Sequence, residues 1–110
     1  MASKYTLQFT HQAYDDLDAL MEYMTIEQAN PQAAKHFMDH LEEILADLRS
    51  FPGSGAAVEN EFLPGIEVRK QVIGKYVLYY LPDAKGKTIY ILRIVYGSRN
   101  LEEILRQIDI

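Results

Sequence analysis

The chain has 110 residues, of which 48% are hydrophobic and 25% charged, a composition typical of one folded domain and unlike that of a disordered segment. It contains no cysteine, which excludes disulfides and thiolate metal sites, and the sequence has no apolar run long enough to span a bilayer. A net charge of -5 argues against a protein held to nucleic acid mainly by phosphate contacts. We therefore expect a single soluble domain over residues 1–110, located in the cytoplasm and without membrane association.

The charges are distributed unevenly along the chain. Residues 1–50 contain nine acidic residues and three basic ones, whereas residues 66–99 contain seven basic residues and two acidic ones. Such a division predicts two surfaces of opposite sign, unless the two kinds of charge simply cover separate polar faces.

The first half of the chain predicts a strand followed by two helices. Residues 4–9 alternate apolar and polar side chains, which is the period of a half-buried strand. Apolar residues then recur at helical spacing from Thr10, a good N-cap, to about Gln28. A second helix starts at Asn30-Pro31, where Asn can cap and Pro fits the first helical position, and ends before the Phe51-Pro52-Gly53 break. We expect a helical hairpin whose two apolar faces cover the same neighbour.

The second half predicts a loop, three strands and a short helix. Residues 52–65 are rich in Gly and Pro and predict an irregular loop of a length that is more often functional than a short one. Three runs rich in β-branched and aromatic residues predict an antiparallel meander: 66–73, 76–81 and 88–96. Asn100 and Glu103 have the spacing of a capping box for a closing helix.

The predicted fold is therefore α+β, in the order β-α-α-β-β-β-α. The helical hairpin covers one face of a twisted, four-stranded, mainly antiparallel sheet, and the short C-terminal helix is left to cover the other face.

Most enzyme classes have no counterpart in this sequence. It has no P-loop, no GxGxxG, GxSxG or HExxH motif, and no thiol nucleophile. His36 and His40 have the i,i+4 spacing of a metal-binding pair, but the apolar stripe of their helix leaves both histidines on the solvated side, as it does the helical acids. We predict no metal site and no cofactor.

Basic and aromatic residues of the second half are the candidate functional groups. The set comprises Arg69, Lys75, Tyr76, Tyr79, Tyr80, Arg93, Tyr96 and Arg99. Tyr and Arg together bind phosphates, stack on bases and dominate protein interfaces, although tyrosines at strand spacing also simply pack within a sheet. Arg93 interrupts an apolar strand and needs either an open face or an internal partner such as Glu59, Glu61 or Glu67.

Four segments of the chain are distinctive: Y-T-L-Q-F-T-H-Q-A-Y-D-D-L near the start, F-P-G after the second helix, K-Y-V-L-Y-Y, and R-I-V-Y-G-S-R-N-L. Together they resemble the RelE/ParE superfamily of small bacterial toxins over nearly the whole chain. The resemblance implies the same β-α-α-β-β-β arrangement. It also implies a toxin of a type II toxin-antitoxin module, neutralised by a cognate antitoxin, and leaves open a homodimer or a heterotetramer with that antitoxin.

The superfamily has two branches, which fit this chain unequally. RelE-like toxins cut messenger RNA in the ribosomal A site, and on that reading Arg69 and Arg93 hold the scissile phosphate while Tyr96 helps in proton transfer or base stacking. Tyr96 stands where many relatives carry histidine, and tyrosine, with a pKa of about 10, is a much poorer base at neutral pH.

The resemblance is therefore closer to the ParE-like branch, whose members poison DNA gyrase by binding. On this reading the contact residues are Arg69, Lys75, Tyr76, Arg93, Tyr96 and Arg99, and no bond is broken. Two alternatives stay open. One is a metal-independent endoribonuclease whose target is the ribosome with its mRNA, and the other is an inactive relative that only binds an antitoxin.

Overall fold

The computed structural model describes residues 4–58, 65–97 and 101–106, which form one mixed sheet and three α-helices. The elements in chain order are β1 (Thr6–Phe9), α1 (His11–Glu22), a π-helical turn (Tyr23–Glu27), α2 (Pro31–Ser50), β2 (Ala56–Ala57), β3 (Arg69–Ile73), β4 (Tyr76–Asp83), β5 (Thr88–Tyr96) and α3 (Leu101–Arg106). The α+β architecture predicted from the sequence is confirmed.

The sheet has the strand order β1-β5-β4-β3-β2, with β1 parallel to β5 and the other neighbours antiparallel. The predicted number of four strands is wrong, because β2 pairs with β3 inside the segment predicted to be irregular. A strand of two residues is too short to show a period in the sequence. β4 also continues past its predicted end and includes Pro82. On one side Pro82 pairs with β5, whereas on the other side the pairing with β3 stops at Tyr80. Proline is tolerated there because β4 is locally an edge strand.

Each long helix begins at the cap residue predicted for it. Thr10 Oγ1 accepts a hydrogen bond from the Ala13 N–H at 3.1 Å, and Asn30 Oδ1 accepts one from the Ala33 N–H at 3.1 Å. The single first helix predicted to reach Gln28 instead ends at Glu22 and continues as the π-helical turn. Such turns are frequent at functional sites.

Two apolar cores lie on opposite faces of the sheet. The larger one packs the stripes of α1 and α2 on residues such as Leu78, Tyr80 and Ile91, all of which are fully buried. The smaller core is built from Val68, Tyr79, Leu92, Val95 and Ile104. Because Ile104 belongs to α3, the short C-terminal helix does cover the second face. No helix within the described part of the chain is long and apolar enough to cross a bilayer.

The buried Tyr80 side chain attaches the segment after α2 to the sheet. Its hydroxyl donates a hydrogen bond to the Pro52 carbonyl at 2.9 Å and accepts one from the Gly55 N–H at 2.9 Å. A Cβ at Gly55 would lie 2.5 Å from the Lys70 carbonyl oxygen and 2.6 Å from the Tyr80 hydroxyl. Position 55 therefore requires glycine, because its own backbone, the backbone at Lys70 and the Tyr80 phenol lie in direct contact there.

This close approach predicts the effect of adding a methyl group. Gly55→Ala should lower the free energy of unfolding by about 2 kcal/mol or more, since an atom forced into packed surroundings displaces its neighbours. Gly53→Ala is the matched control, because a Cβ there has no neighbour within 4 Å, and its effect should stay within about 0.5 kcal/mol. Urea unfolding measures both. Equal stability of the two variants would contradict the close packing of Gly55 against Lys70 and Tyr80.

Candidate functional site

Arg93 forms a buried, bidentate ion pair with Asp16 of α1. Arg93 Nε donates to Asp16 Oδ2 at 2.6 Å and Arg93 Nη2 donates to Asp16 Oδ1 at 2.9 Å, while the Ile94 backbone N–H also donates to Oδ2 at 3.0 Å. The two side chains are only 7% and 14% exposed. The hydrogen bond to Asp16 raises the pKa of Arg93 above its ordinary value, and burial opposes it less strongly. The Arg93 guanidinium is therefore charged at every physiological pH.

The path of the chain explains why Asp16 meets this part of β5. β1 pairs with β5 only as far as Phe9 opposite Ile91, and α1 then runs past the remaining edge of β5. There Thr10 Oγ1 donates to the Leu92 carbonyl at 2.8 Å, and Asp16 accepts from the Ile94 N–H. Side chains of α1 thus satisfy backbone groups of β5 that a neighbouring strand would otherwise pair.

Of the two alternatives predicted for Arg93, the structure shows the internal partner and not the open face. That partner is Asp16, which the sequence placed on the solvated side of its helix. Of the partners suggested from the sequence, Glu67 pairs with Arg69 instead, and Glu59 and Glu61 lie outside the described residues. The spacing did contain a signal, because Asp16 lies between Ala13 and Leu20 on the apolar side of α1. The Arg93 guanidinium is therefore paired within the chain and only 7% exposed.

Arg69 is also engaged with the chain's own atoms. Its Nη1 donates to the Gly55 carbonyl at 2.6 Å and to the Gly53 carbonyl at 3.2 Å, and its Nη2 forms an ion pair with Glu67. Arg69 therefore reinforces the attachment that Tyr80 makes. β4 separates the strands of Arg69 and Arg93, and the two guanidinium groups are bound to different partners, so they do not converge on one point.

Three other predicted contact residues do lie close together, at the end of the sheet where β4 begins and β5 ends. Lys75, Tyr76 and Tyr96 line a pocket of about 500 Å³ together with Tyr23 of the π-helical turn. The rings of Tyr76 and Tyr96 meet edge to face, with centroids 5.7 Å apart. We call this pocket the tyrosine groove. Its apolar wall includes Leu20 and Ile94.

A smaller pocket of about 230 Å³ shares Lys75 and Tyr76 with the tyrosine groove. Its other wall is α2, where Phe37 meets the Tyr76 ring edge to face at 5.6 Å. His36 and His40 are exposed, as predicted, and both line this pocket. Within the described ranges no three His, Cys, Asp or Glu side chains are grouped so as to hold a metal ion.

The tyrosine groove contains two polar residues that the sequence did not indicate, Tyr23 and Gln28. Gln28 Nε2 donates to the Tyr23 hydroxyl at 3.3 Å, and both residues line the groove. In the sequence Tyr23 has the spacing of an exposed helical residue, and no local pattern marks the π-helical turn that directs it toward the sheet. The predicted contact Arg99 lies outside the described residues.

The predicted basic surface is divided in the described part of the chain. Lys75 lies at the β3–β4 turn, whereas Lys85 and Lys87 lie at the β4–β5 turn at the other end of the sheet. Lys87 Nζ lies over the Tyr5 ring, 4.9 Å from its centroid. Arg69 and Arg93 of the same basic half are in internal ion pairs.

A family model supplies the identification. The model that describes the ParE toxin of type II toxin-antitoxin system, parDE, matches residues 7–101. The chain belongs to the ParE toxin family. It is therefore a toxin of the type II toxin-antitoxin class, as the resemblance in the sequence implied.

Two solved structures are similar to this ParE-family chain. One, the chromosomal ParDE TA system from P. aeruginosa, has 27% identity and a TM-score of 0.64, and the match covers 86% of this chain and 98% of that one. The other, the toxin-antitoxin complex RelBE2 from Mycobacterium tuberculosis, has 28% identity and a TM-score of 0.57, covering 84% and 98%. No curated protein matches the chain.

The Asp16–Arg93 ion pair predicts a large loss of stability when one charge is removed. Asp16→Asn should lower the free energy of unfolding by about 3–5 kcal/mol, because it removes the charge of the carboxylate that pairs with the buried Arg93 guanidinium. Asp18→Asn changes the net charge equally at an exposed position of the same helix and should change stability by no more than about 0.5 kcal/mol. Urea unfolding of the two variants checks this, and a similar small change in both would show that the pair is solvated.

The phenols of the sheet predict the alkaline limit of stability. Burial is the main cause that raises the pKa values of Tyr76, Tyr79 and Tyr80 above their ordinary value, and the nearby Tyr23 and Tyr96 hydroxyls add to the rise at Tyr76. A raised folded-state pKa gives stability that is complete below the unfolded pKa of about 10 and is lost as pH rises through the folded value.

The free energy of unfolding should therefore fall above about pH 10, and Tyr79→Phe should make that fall shallower. Tyr79 suits this substitution because burial is the one cause that raises its pKa. Denaturant unfolding at a series of alkaline pH values measures the slope. An identical slope in wild type and variant would contradict the prediction.

Proposed function

We propose that this chain is a ParE-like toxin that binds and poisons a macromolecular target such as DNA gyrase and breaks no bond itself. The main support for the proposal is that both arginines which a RelE-like nuclease would use are paired with groups of this chain itself. Arg93 is bound to Asp16, and Arg69 to Glu67 and two backbone carbonyls. A phosphate whose charge rises in the transition state needs cations aimed at one point, and these two are directed at the chain's own atoms.

The tyrosines of the groove support binding more than proton transfer. Burial raises the pKa of Tyr76 above its ordinary value, so its phenol is neutral at physiological pH and is a poor base there. Tyr96, which stands where many relatives carry histidine, is 47% exposed and packs edge-on against Tyr76. Large, rigid aromatic side chains at an open surface are typical of protein interfaces.

The proposed contact residues are accordingly Lys75, Tyr76 and Tyr96, joined by Tyr23, which sequence reasoning missed. All four line one groove. Arg99 remains a proposed contact on sequence grounds. Action on gyrase would place the protein in the cytoplasm.

One observation favours a RelE-like nuclease as the second candidate. Exposed Lys75 lies between the tyrosine groove and the pocket that His36 and His40 line, so a cation and imidazoles do share one surface. The similarity to the RelBE2 complex is consistent with that reading. An assay of both activities is therefore required.

The proposal predicts opposite results in two assays of the purified toxin. Wild-type protein should inhibit supercoiling by gyrase and leave ribosome-bound mRNA intact. Lys75→Glu should raise the concentration needed for half-inhibition at least about tenfold, the size expected for a contact worth about 1.4 kcal/mol. Lys85→Glu is the matched control, because it changes the net charge equally at the other end of the sheet. It should inhibit gyrase supercoiling as strongly as wild type does.

The outcomes separate the three readings of the sequence. New A-site breaks in ribosome-bound messages, with supercoiling unaffected, would replace the proposal by the nuclease reading. If soluble, folded protein affected neither gyrase nor messages and its expression without antitoxin left growth normal, the chain would be an inactive relative.

A further inference from the structure

We propose that His36 and His40 of α2 form a chelating site for a divalent transition-metal cation, of the class that includes Cu²⁺, Ni²⁺ and Zn²⁺. We call these two residues the histidine pair. The inference does not depend on the proposed target, because neither histidine is among the proposed contact residues. It adds a ligand to a surface for which the sequence predicted no metal.

The helix sets the spacing of the two imidazoles. His36 and His40 are four residues apart in α2, which extends beyond them in both directions, from Pro31 to Ser50. Residues at this spacing are neighbours on one helix face, with Cβ atoms about 5–6 Å apart. The same i,i+4 spacing places both zinc-binding histidines of the helical HExxH motif on one ion. The backbone of α2 therefore holds two imidazoles where a single ion can bind both.

Both imidazoles have nitrogens that a metal can use. The two side chains are exposed, and neither forms a hydrogen bond or an ion pair with another residue in the described part of the chain. His11, the third histidine, differs because its Nε2 lies 3.5 Å from the Asp15 carboxylate. Neutral imidazole is the commonest metal ligand among side chains. Exposure, which led to the prediction of no metal site, thus also leaves the histidine pair available.

The histidine pair lines the pocket of about 230 Å³ between α2 and the β3–β4 turn. Met24, Phe37 and Ile73 line the same pocket and give it an apolar floor. The volume is several times that of one water molecule, about 30 Å³, so a metal ion with water ligands fits. Because the described residues include no group of three His, Cys, Asp or Glu side chains, water would fill the remaining coordination positions.

The charge of α2 favours a cation beside the histidine pair. Asp39 and Glu43 are exposed, and each follows one of the histidines by three residues, which makes them neighbours on the helix surface. Residues 1–50 contain nine acidic residues and three basic ones, so the hairpin attracts cations as a whole. Lys75 opposes binding, because it lines the same pocket from the other side. A change at Lys75 therefore reports whether the ion lies in this pocket.

The ligand type determines which metals the histidine pair binds. Imidazole suits Cu²⁺, Ni²⁺ and Zn²⁺, whereas Mg²⁺ and Ca²⁺ prefer oxygen ligands. General attraction to the acidic helices would not discriminate in this way, because it depends on charge alone. Selectivity for Ni²⁺ over Mg²⁺ thus separates chelation by the histidine pair from attraction to the carboxylates.

The test measures Ni²⁺ affinity by titration calorimetry, with full-length protein that carries no polyhistidine tag. Wild type should bind Ni²⁺ with a Kd below about 1 mM. His36→Gln and His40→Gln should each weaken binding at least about tenfold, because a single imidazole cannot chelate. His11→Gln is the matched control and should bind like wild type, since His11 lies on α1. All three histidines are exposed, and equal urea midpoints without metal show that each variant is folded.

Lys75 provides a second readout, which a metal bound elsewhere on the chain would not affect. Lys75→Glu should tighten Ni²⁺ binding about threefold, because it replaces a repelling ammonium group at the pocket by an attracting carboxylate. Lys85→Glu changes the net charge equally at the other end of the sheet and should leave the affinity unchanged.

Four results would overturn the proposal. A Kd weaker than about 1 mM would reduce the site to adventitious binding. Equal affinity of wild type and both variants of the histidine pair would place the ion elsewhere, as would equal affinity of Lys75→Glu and Lys85→Glu. Binding of Mg²⁺ as tight as that of Ni²⁺ would assign it to the carboxylates. None of these results bears on gyrase supercoiling, so the proposed function is tested separately.

Discussion

The buried Asp16–Arg93 ion pair sets how α1 lies against the edge of β5, and the site depends on that placement. Moving two charges out of water costs several kcal/mol, which the bidentate geometry and the added Ile94 N–H bond offset. Because α1 is held at this point, the π-helical turn that follows it brings Tyr23 opposite Tyr76 and Tyr96. The ion pair thus positions the wall of the groove, which Asp16 itself lines.

The arginines of the sheet stabilise the fold, and this changes what the surface can do. Arg93 joins a helix to a strand, and Arg69 holds the carbonyls of Gly53 and Gly55 beside the Tyr80 phenol. With these guanidinium groups engaged, the described groove presents aromatic rings, one ammonium group and apolar walls. That chemistry suits recognition of another protein more than stabilisation of a reacting phosphate.

Membership of the ParE toxin family establishes the class of the protein, whereas its target depends on the residues of its surface. The chain has 27% identity to a ParDE system and 28% to a RelBE2 complex, so similarity of fold alone does not separate the two kinds of toxin. Folds of this size carry different functions on exchangeable surfaces. The resemblance in the sequence places Tyr96 where many relatives carry histidine, and this substitution supports the proposed ParE-like action.

Local patterns in the sequence determined the order of the elements other than β2 and the π-helical turn, the caps at Thr10 and Asn30, the limits of β5 and the family. Each depends on neighbours a few residues apart, which is the range over which periodicity and capping act. Tertiary structure alone decided that Asp16 pairs with Arg93, that two alanines form β2, and that Tyr23 turns toward the sheet. The physical reason is the same in all three cases. Which partner a buried charge, an edge strand or a side chain meets depends on how distant segments pack against each other. Asp16 and Arg93, for example, are 77 residues apart, and the local pattern around one contains no information about the other.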